Sequence, residues 1–196
     1  MNLPNKLSLM RMALVPLIAV IYLAAEMTGF LSGTVILANV ALPYSDLLVF
    51  VLFAIASITD YFDGHIARRD HLITSFGKFI DPIADKLLVN TLFLLFAWSS
   101  RVSIIAVLLM IMRDTIVDGL RMNAAASGKV VAAGYAGKLK TVLQMLTIIF
   151  VLLHDLPFAW FGITVSTFLI WVATAVSLYA GFVYFWQLKD IVMETM

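Results

Sequence analysis

The chain has 196 residues, of which 63% are hydrophobic and 13% charged, with a net charge of +1. A soluble domain carries about 25% charged residues, so half the charge needed to solvate a globular surface is missing and a membrane domain is expected. No long basic or acidic run is present, which argues against a nucleic-acid partner, and the absence of Cys excludes disulfides, thiolate catalysis and cysteine zinc sites.

A helix needs about 20 residues to cross a hydrocarbon core of ~30 Å. Six segments meet this: Leu7–Met27, Leu47–Arg68, Phe79–Trp98, Val102–Met122, Leu139–His154 and Trp160–Leu188. They predict an all-α integral membrane protein with six transmembrane helices in one catalytic domain over residues 1–196. Pro16 is expected to kink the first span without ending it. That span does not read as a cleavable signal, because Lys6 and Arg11 form only a weak basic start and five more spans follow.

Orientation follows from Lys and Arg. With a cytoplasmic N-terminus and an even number of spans, Arg101 alone among 13 Lys and Arg residues falls on the outer side. Both termini are therefore expected in the cytoplasm. Trp98 and Trp160 are read as outer aromatic belt, and Tyr184, Phe185 and Trp186 as inner belt and packing.

The second span has only 13 uncharged residues, Leu47 to Thr59, before Asp60. At ~1.5 Å per residue that is about 20 Å of helix, so Asp60 and Asp63 are expected inside the cytoplasmic third of the bilayer. The third span mirrors this with Asp81, Asp85 and Lys86 at its start. The fourth ends in Arg113, Asp114, Asp118 and Arg121.

Intramembrane charges cost several kcal/mol unless paired or wetted. Arg113 can pair with Asp114 or Asp118, but local cations look too few for the four aspartates, and like-charged carboxylates need protons or metal ions between them. Asp60, Asp63, Gly64, Ala67 and Arg68 share one helix face, as do Gly77, Asp81 and Asp85 on the next. With a connection of about ten residues, these helices are expected to be antiparallel neighbours with facing sites. All-oxygen ligation suits Mg²⁺, Mn²⁺ or Ca²⁺. The small Gly64 and Ala67 leave room for a diphosphate between the carboxylates and Arg68.

The pattern Asp60-x-x-Asp63-Gly64-x-x-Ala67-Arg68, eight residues, then Gly77-x-x-x-Asp81-x-x-x-Asp85 resembles the signature of the CDP-alcohol phosphatidyltransferases at every position. The resemblance implies six membrane helices, commonly a homodimer, and a site open to the cytoplasm that holds Mg²⁺ or Mn²⁺, two ions per site. It implies transfer of a phosphatidyl group from a CDP-linked donor to an alcohol, with release of CMP. Asp60, Asp63 and Asp81 resemble the principal metal ligands. Asp85 resembles the general base, with a further contact to metal. Asn5, Thr59, Gly64, Ala67, Arg68 and Gly77 fall at positions that resemble those receiving the CDP moiety.

The opening Asn2-Leu3-Pro4-Asn5-Lys6-Leu7-Ser8-x-x-Arg11 resembles the branch of the family that makes phosphatidylglycerol phosphate. So do Arg113-Asp114 with Arg121, and Gly137-Lys138-Leu139-Lys140-Thr141, although Asp114 stands for the usual Glu and Gly134 for an expected Ser. This likeness implies CDP-diacylglycerol and glycerol 3-phosphate as substrates, in the plasma membrane. Arg113, Arg121, Lys138 and Lys140 are the expected grip on the acceptor phosphate.

Siblings using inositol phosphate, serine or phosphatidylglycerol are the alternative. A polyprenyl transferase would need two aspartate clusters where this chain has one bipartite cluster. A cation transporter would place its charges near the midplane, often in inverted repeats, whereas these sit at one end. His65, His71 and His154 are read as having no catalytic part.

Overall fold

A computed structural model describes residues 2–69, 75–126 and 134–194, apart from the side chains of 3–4, 61–69, 75–76, 78–79, 81–82, 126 and 190–194. Six α-helices account for most of the described residues: α1 (Leu3–Thr28), α2 (Tyr44–Arg69), α3 (Ser75–Trp98), α4 (Ile104–Ala126), α5 (Tyr135–Leu152) and α6 (Val165–Glu194). Three of them carry stretches long and apolar enough to cross a membrane, Asn5–Thr28, Tyr135–Leu152 and Val165–Lys189.

α1 starts with Pro in its first turn, where the missing N–H costs nothing, and runs on through Pro16. It stops at Gly29, whose left-handed φ of 71° lets its N–H bond back to Ala25 O at 3.0 Å. Between α1 and α2 lies a small β-hairpin, β1 (Thr34–Leu37) against β2 (Val40–Pro43). Ala38 and Asn39 both have positive φ, which a two-residue primed turn requires.

Among α5, α6 and the segment between them, the helix boundary differs from the expected Trp160. Residues Phe158–Phe161 form a 3-10 turn ended by Gly162 at φ 70°, and α6 begins at Val165. Asp155 secures that start, accepting the Ser166 N–H at 2.6 Å and the Ser166 hydroxyl at 2.9 Å. Its negative charge sits favourably at a helix N-terminus.

The helices run up and down, with α1 packed on α2 and α3, and α6 packed on α4 and α5. The starts of α1, α3 and α5 meet the ends of α2, α4 and α6 through the pairs Arg11–Asp60, Lys86–Asp118, Lys140–Asp114 and Gly134–Tyr184. The core between them is built of aliphatic and aromatic side chains such as Ile18, Phe53, Leu92, Phe96, Met110 and Ile148. α1 packs closely on both α2 and α3. α2 and α3, expected to face each other directly, touch only sparsely among the described residues.

At the opposite end a polar clamp joins four segments. Asp46, buried at the start of α2, accepts from Arg101 Nη1 at 2.6 Å and pairs with His154 Nε2 at 2.7 Å. Arg101 also reaches Glu26 at 2.7 Å and lies over the Tyr22 ring at 5.4 Å. Burial works against the Arg101 charge, but the hydrogen bond and charge of Asp46, with Tyr22 and Glu26, outweigh it and hold its pKa above the ordinary arginine value.

Candidate active site

Of the four aspartates, Asp60 and Asp85 have described side chains. Both are half-buried, Asp60 near the end of α2 and Asp85 in the first half of α3. Asp63, Gly64, Ala67 and Arg68 lie on α2 and Asp81 on α3, with side chains outside the described residues. Among the described residues no group of three or more His, Cys, Asp or Glu is placed to hold a metal ion.

Asp60 has a cation after all. Arg11, fully buried on α1, makes an ion pair with it. This corrects the expectation that local cations are too few, at least for Asp60. Sequence reasoning placed Arg11 at the basic start of the first span and missed the pairing. The signal was available: Asn5, Ser8 and Arg11 recur at i, i+3 and i+6, and all three are buried.

Arg11 of α1 joins Asp60 of α2, and Lys86, next to Asp85 on α3, joins Asp118 of α4. The fit to a hard divalent cation rests on donor chemistry alone: carboxylates from two helices at one end of the bundle. Of the remaining donor-binding candidates, Asn5 and Gly77 are buried, and the Thr59 hydroxyl donates to Ile55 O of its own helix at 2.6 Å.

Between α3, α4, α5 and α6 opens a polar cavity of about 150 Å³. Its lining carries four cations, Lys86, Arg113, Arg121 and Lys140, against two carboxylates, Asp114 and Asp118. The excess is two positive charges. Each carboxylate is committed. Asp114, nearly buried, accepts from Lys140 and from Arg113 Nη1 at 2.8 Å, and Asp118 accepts from Lys86.

The arginines retain capacity. Arg113 Nε and Nη2 and Arg121 Nε are buried without hydrogen-bond partners among the described residues. Buried N–H groups left unmet cost about 1–3 kcal/mol each, more on charged groups. Of the four residues expected to grip the acceptor phosphate, Arg113, Arg121 and Lys140 line this cavity. Lys138 is exposed and outside its lining. On a helix, adjacent residues point about 100° apart, so Lys138 and Lys140 lie on opposite faces.

Comparison with known proteins points the same way. The sequence model of the CDP-alcohol phosphatidyltransferase family matches residues 1–179. A protein of Bacillus subtilis (strain 168) named CDP-diacylglycerol–glycerol-3-phosphate 3-phosphatidyltransferase is 39% identical over 184 residues, covering 94% of this chain and 93% of its own length. Proteins with the same name from Rickettsia bellii (strain RML369-C) and Rickettsia typhi (strain ATCC VR-144 / Wilmington) are 35% and 34% identical over 185 residues. Each match covers 94% of this chain, and 93% and 95% of theirs.

Proposed function

Since this chain belongs to the CDP-alcohol phosphatidyltransferase family, we propose that it transfers the phosphatidyl group of CDP-diacylglycerol to glycerol 3-phosphate. The products are phosphatidylglycerol phosphate and CMP, and the chain is a membrane enzyme of phospholipid synthesis. The relatives' shared name supports the reaction and its acceptor. The observation in the molecule that carries the acceptor is the cavity lined by four cations against two carboxylates. A phosphate monoester carries about −1.5 to −2 charges at neutral pH, and guanidinium forks suit its oxygens.

The site residues divide by chemistry. Mg²⁺ or Mn²⁺ held by Asp60, Asp63, Asp81 and Asp85 supplies positive charge against the donor diphosphate and the departing CMP. Asn5, Thr59, Gly64, Ala67, Arg68 and Gly77 receive the CDP moiety. Arg113, Arg121 and Lys140 seat the acceptor phosphate, with Lys138 at the exposed approach. Asp85 takes the proton of the acceptor hydroxyl as its oxygen bonds to the phosphatidyl phosphorus. The phosphoanhydride bond then breaks and CMP leaves with the bonding electrons. The chain spans the bilayer six times as a homodimer, with both termini and the site facing the cytoplasm.

The test is CMP release from CDP-diacylglycerol by the purified protein with Mg²⁺, offered glycerol 3-phosphate, inositol phosphate, serine or phosphatidylglycerol in turn. Release is expected with glycerol 3-phosphate alone. It should vanish in EDTA and return with Mg²⁺ or Mn²⁺. Turnover only with another acceptor would overturn the substrate, and full turnover in EDTA would overturn the metal.

A further inference from the structure

Tyr184 sits in an aromatic run at the end of α6 that reads as membrane belt. Its neighbours behave so: Phe185 is 50% exposed and Trp186 59%. Tyr184 is 4% exposed and lines the polar cavity instead. Its hydroxyl oxygen accepts from Arg121 Nη2 at 2.6 Å and from the backbone N–H of Gly134 at 2.8 Å. Its ring centroid is 4.5 Å from the Arg121 guanidinium carbon and 6.0 Å from that of Arg113.

One turn earlier on the same face is Gly181. A Cβ there would stand 2.8 Å from Arg113 Cγ and 2.9 Å from its Nε, closer than van der Waals contact allows. The bare backbone at 181 admits the Arg113 stem, and the ring at 184 receives the head of Arg121. This face of α6 therefore seats both arginines.

The chemistry requires such a seat. An arginine side chain is long and rotamer-rich, and ordering it only on ligand arrival would weaken binding. Asp114 fixes Arg113 through Nη1, but among the described residues Arg121 has no carboxylate partner. Its described ties are the Tyr184 hydroxyl and ring. The same hydroxyl ties Gly134, the residue from which α5 starts, so one phenol couples α4, α5 and α6 around the cavity.

We propose that Tyr184 is a positioning residue of the acceptor site, holding Arg121 and the start of α5 so that the Arg113 and Arg121 side chains stay at the cavity wall where the phosphate of the acceptor binds, with Gly181 keeping the space for Arg113. This inference rests on reading the cavity as the acceptor-phosphate site, and its test separates the two. Tyr184→Phe keeps the ring and deletes the hydroxyl. Gly181→Ala displaces Arg113, and Arg121→Gln removes the cation itself.

For each variant, kcat and KM are measured separately for glycerol 3-phosphate and CDP-diacylglycerol, along with inhibition by inorganic phosphate competing with the acceptor. Tyr184→Phe is expected to raise KM for glycerol 3-phosphate about 10-fold, the scale of one hydrogen bond to a charged group. KM for CDP-diacylglycerol should stay within about twofold. Phosphate inhibition should weaken in parallel, and Gly181→Ala should act in the same direction. A purely structural role would lower the active fraction and the melting temperature while leaving both KM values in place. That outcome overturns the proposal. If Arg121→Gln raises the acceptor KM and Tyr184→Phe does not, the Tyr184 inference fails alone. If Arg121→Gln leaves it unchanged, the reading of the cavity fails and the inference with it.

Discussion

Asp114 carries two cations on one carboxylate: Lys140 from α5 and Arg113 from its own helix. Without it the cavity would hold four positive charges against one negative, and two buried cations would lose their counterion. Its presence ties Lys140 through both carboxylate oxygens while Lys140 stays in the cavity lining beside the arginines. Asp85 differs, because among the described residues no hydrogen bond or ion pair engages its carboxylate, although Asp60, Arg11, Lys140 and Lys86 lie within electrostatic range. A carboxylate so placed suits the proposed base. Asp85→Asn keeps the shape and removes the basicity. Turnover should drop by about 10²–10⁴-fold, while CDP-diacylglycerol still binds in an equilibrium titration. Turnover near wild type would take Asp85 out of that role.

At the scale of elements, α1 has a larger part than its apolar composition announces. It packs against both α2 and α3, and its buried stripe of Asn5, Ser8 and Arg11 turns toward the aspartate end. The Asp signature and its helical phase were legible from spacing, because i, i+4 and i+8 must share a face whatever surrounds them. The pairing of Arg11 with Asp60 was not, since 49 residues separate them and only packing sets that distance. The same holds for the clamp at the other end, where Asp46, Arg101 and His154 come from three separate segments. Asp46→Asn should cost roughly 2–3 kcal/mol, below the range for a fully buried pair because Arg101 and His154 keep some solvent contact. Thermal unfolding in detergent would read this loss. The acceptor KM, set at the far end of the bundle, should not change.

The whole molecule shows an apolar exterior around a polar-ended core. Large exposed hydrophobic side chains such as Leu17, Val51, Leu94, Leu108, Val142 and Phe168 are spread over all six helices, which suits a lipid solvent and no aqueous one. Up-and-down packing puts Asn2 and the end of α6 at the same end as Asp60 and Asp85. A chain without Cys allows this to be tested by single substitutions. Ser32→Cys, in the exposed turn after α1, should react with an impermeant maleimide on intact cells. Tyr135→Cys, exposed at the start of α5, should react only after permeabilisation. The reverse labelling would invert the proposed orientation.

Hydropathy and spacing by themselves determined the membrane character, the six helices and the faces of the two aspartate helices, because these depend on local periodicity and on solvent preference. Tertiary structure decided which charges meet. It put Arg11 on Asp60, Lys140 and Arg113 on Asp114, left Lys138 outside the cavity, and turned Tyr184 from the expected belt into the cavity wall. Adjacent aromatics on a helix point about 100° apart, and only the neighbours packed against α6 determine which of them faces lipid and which faces the arginines.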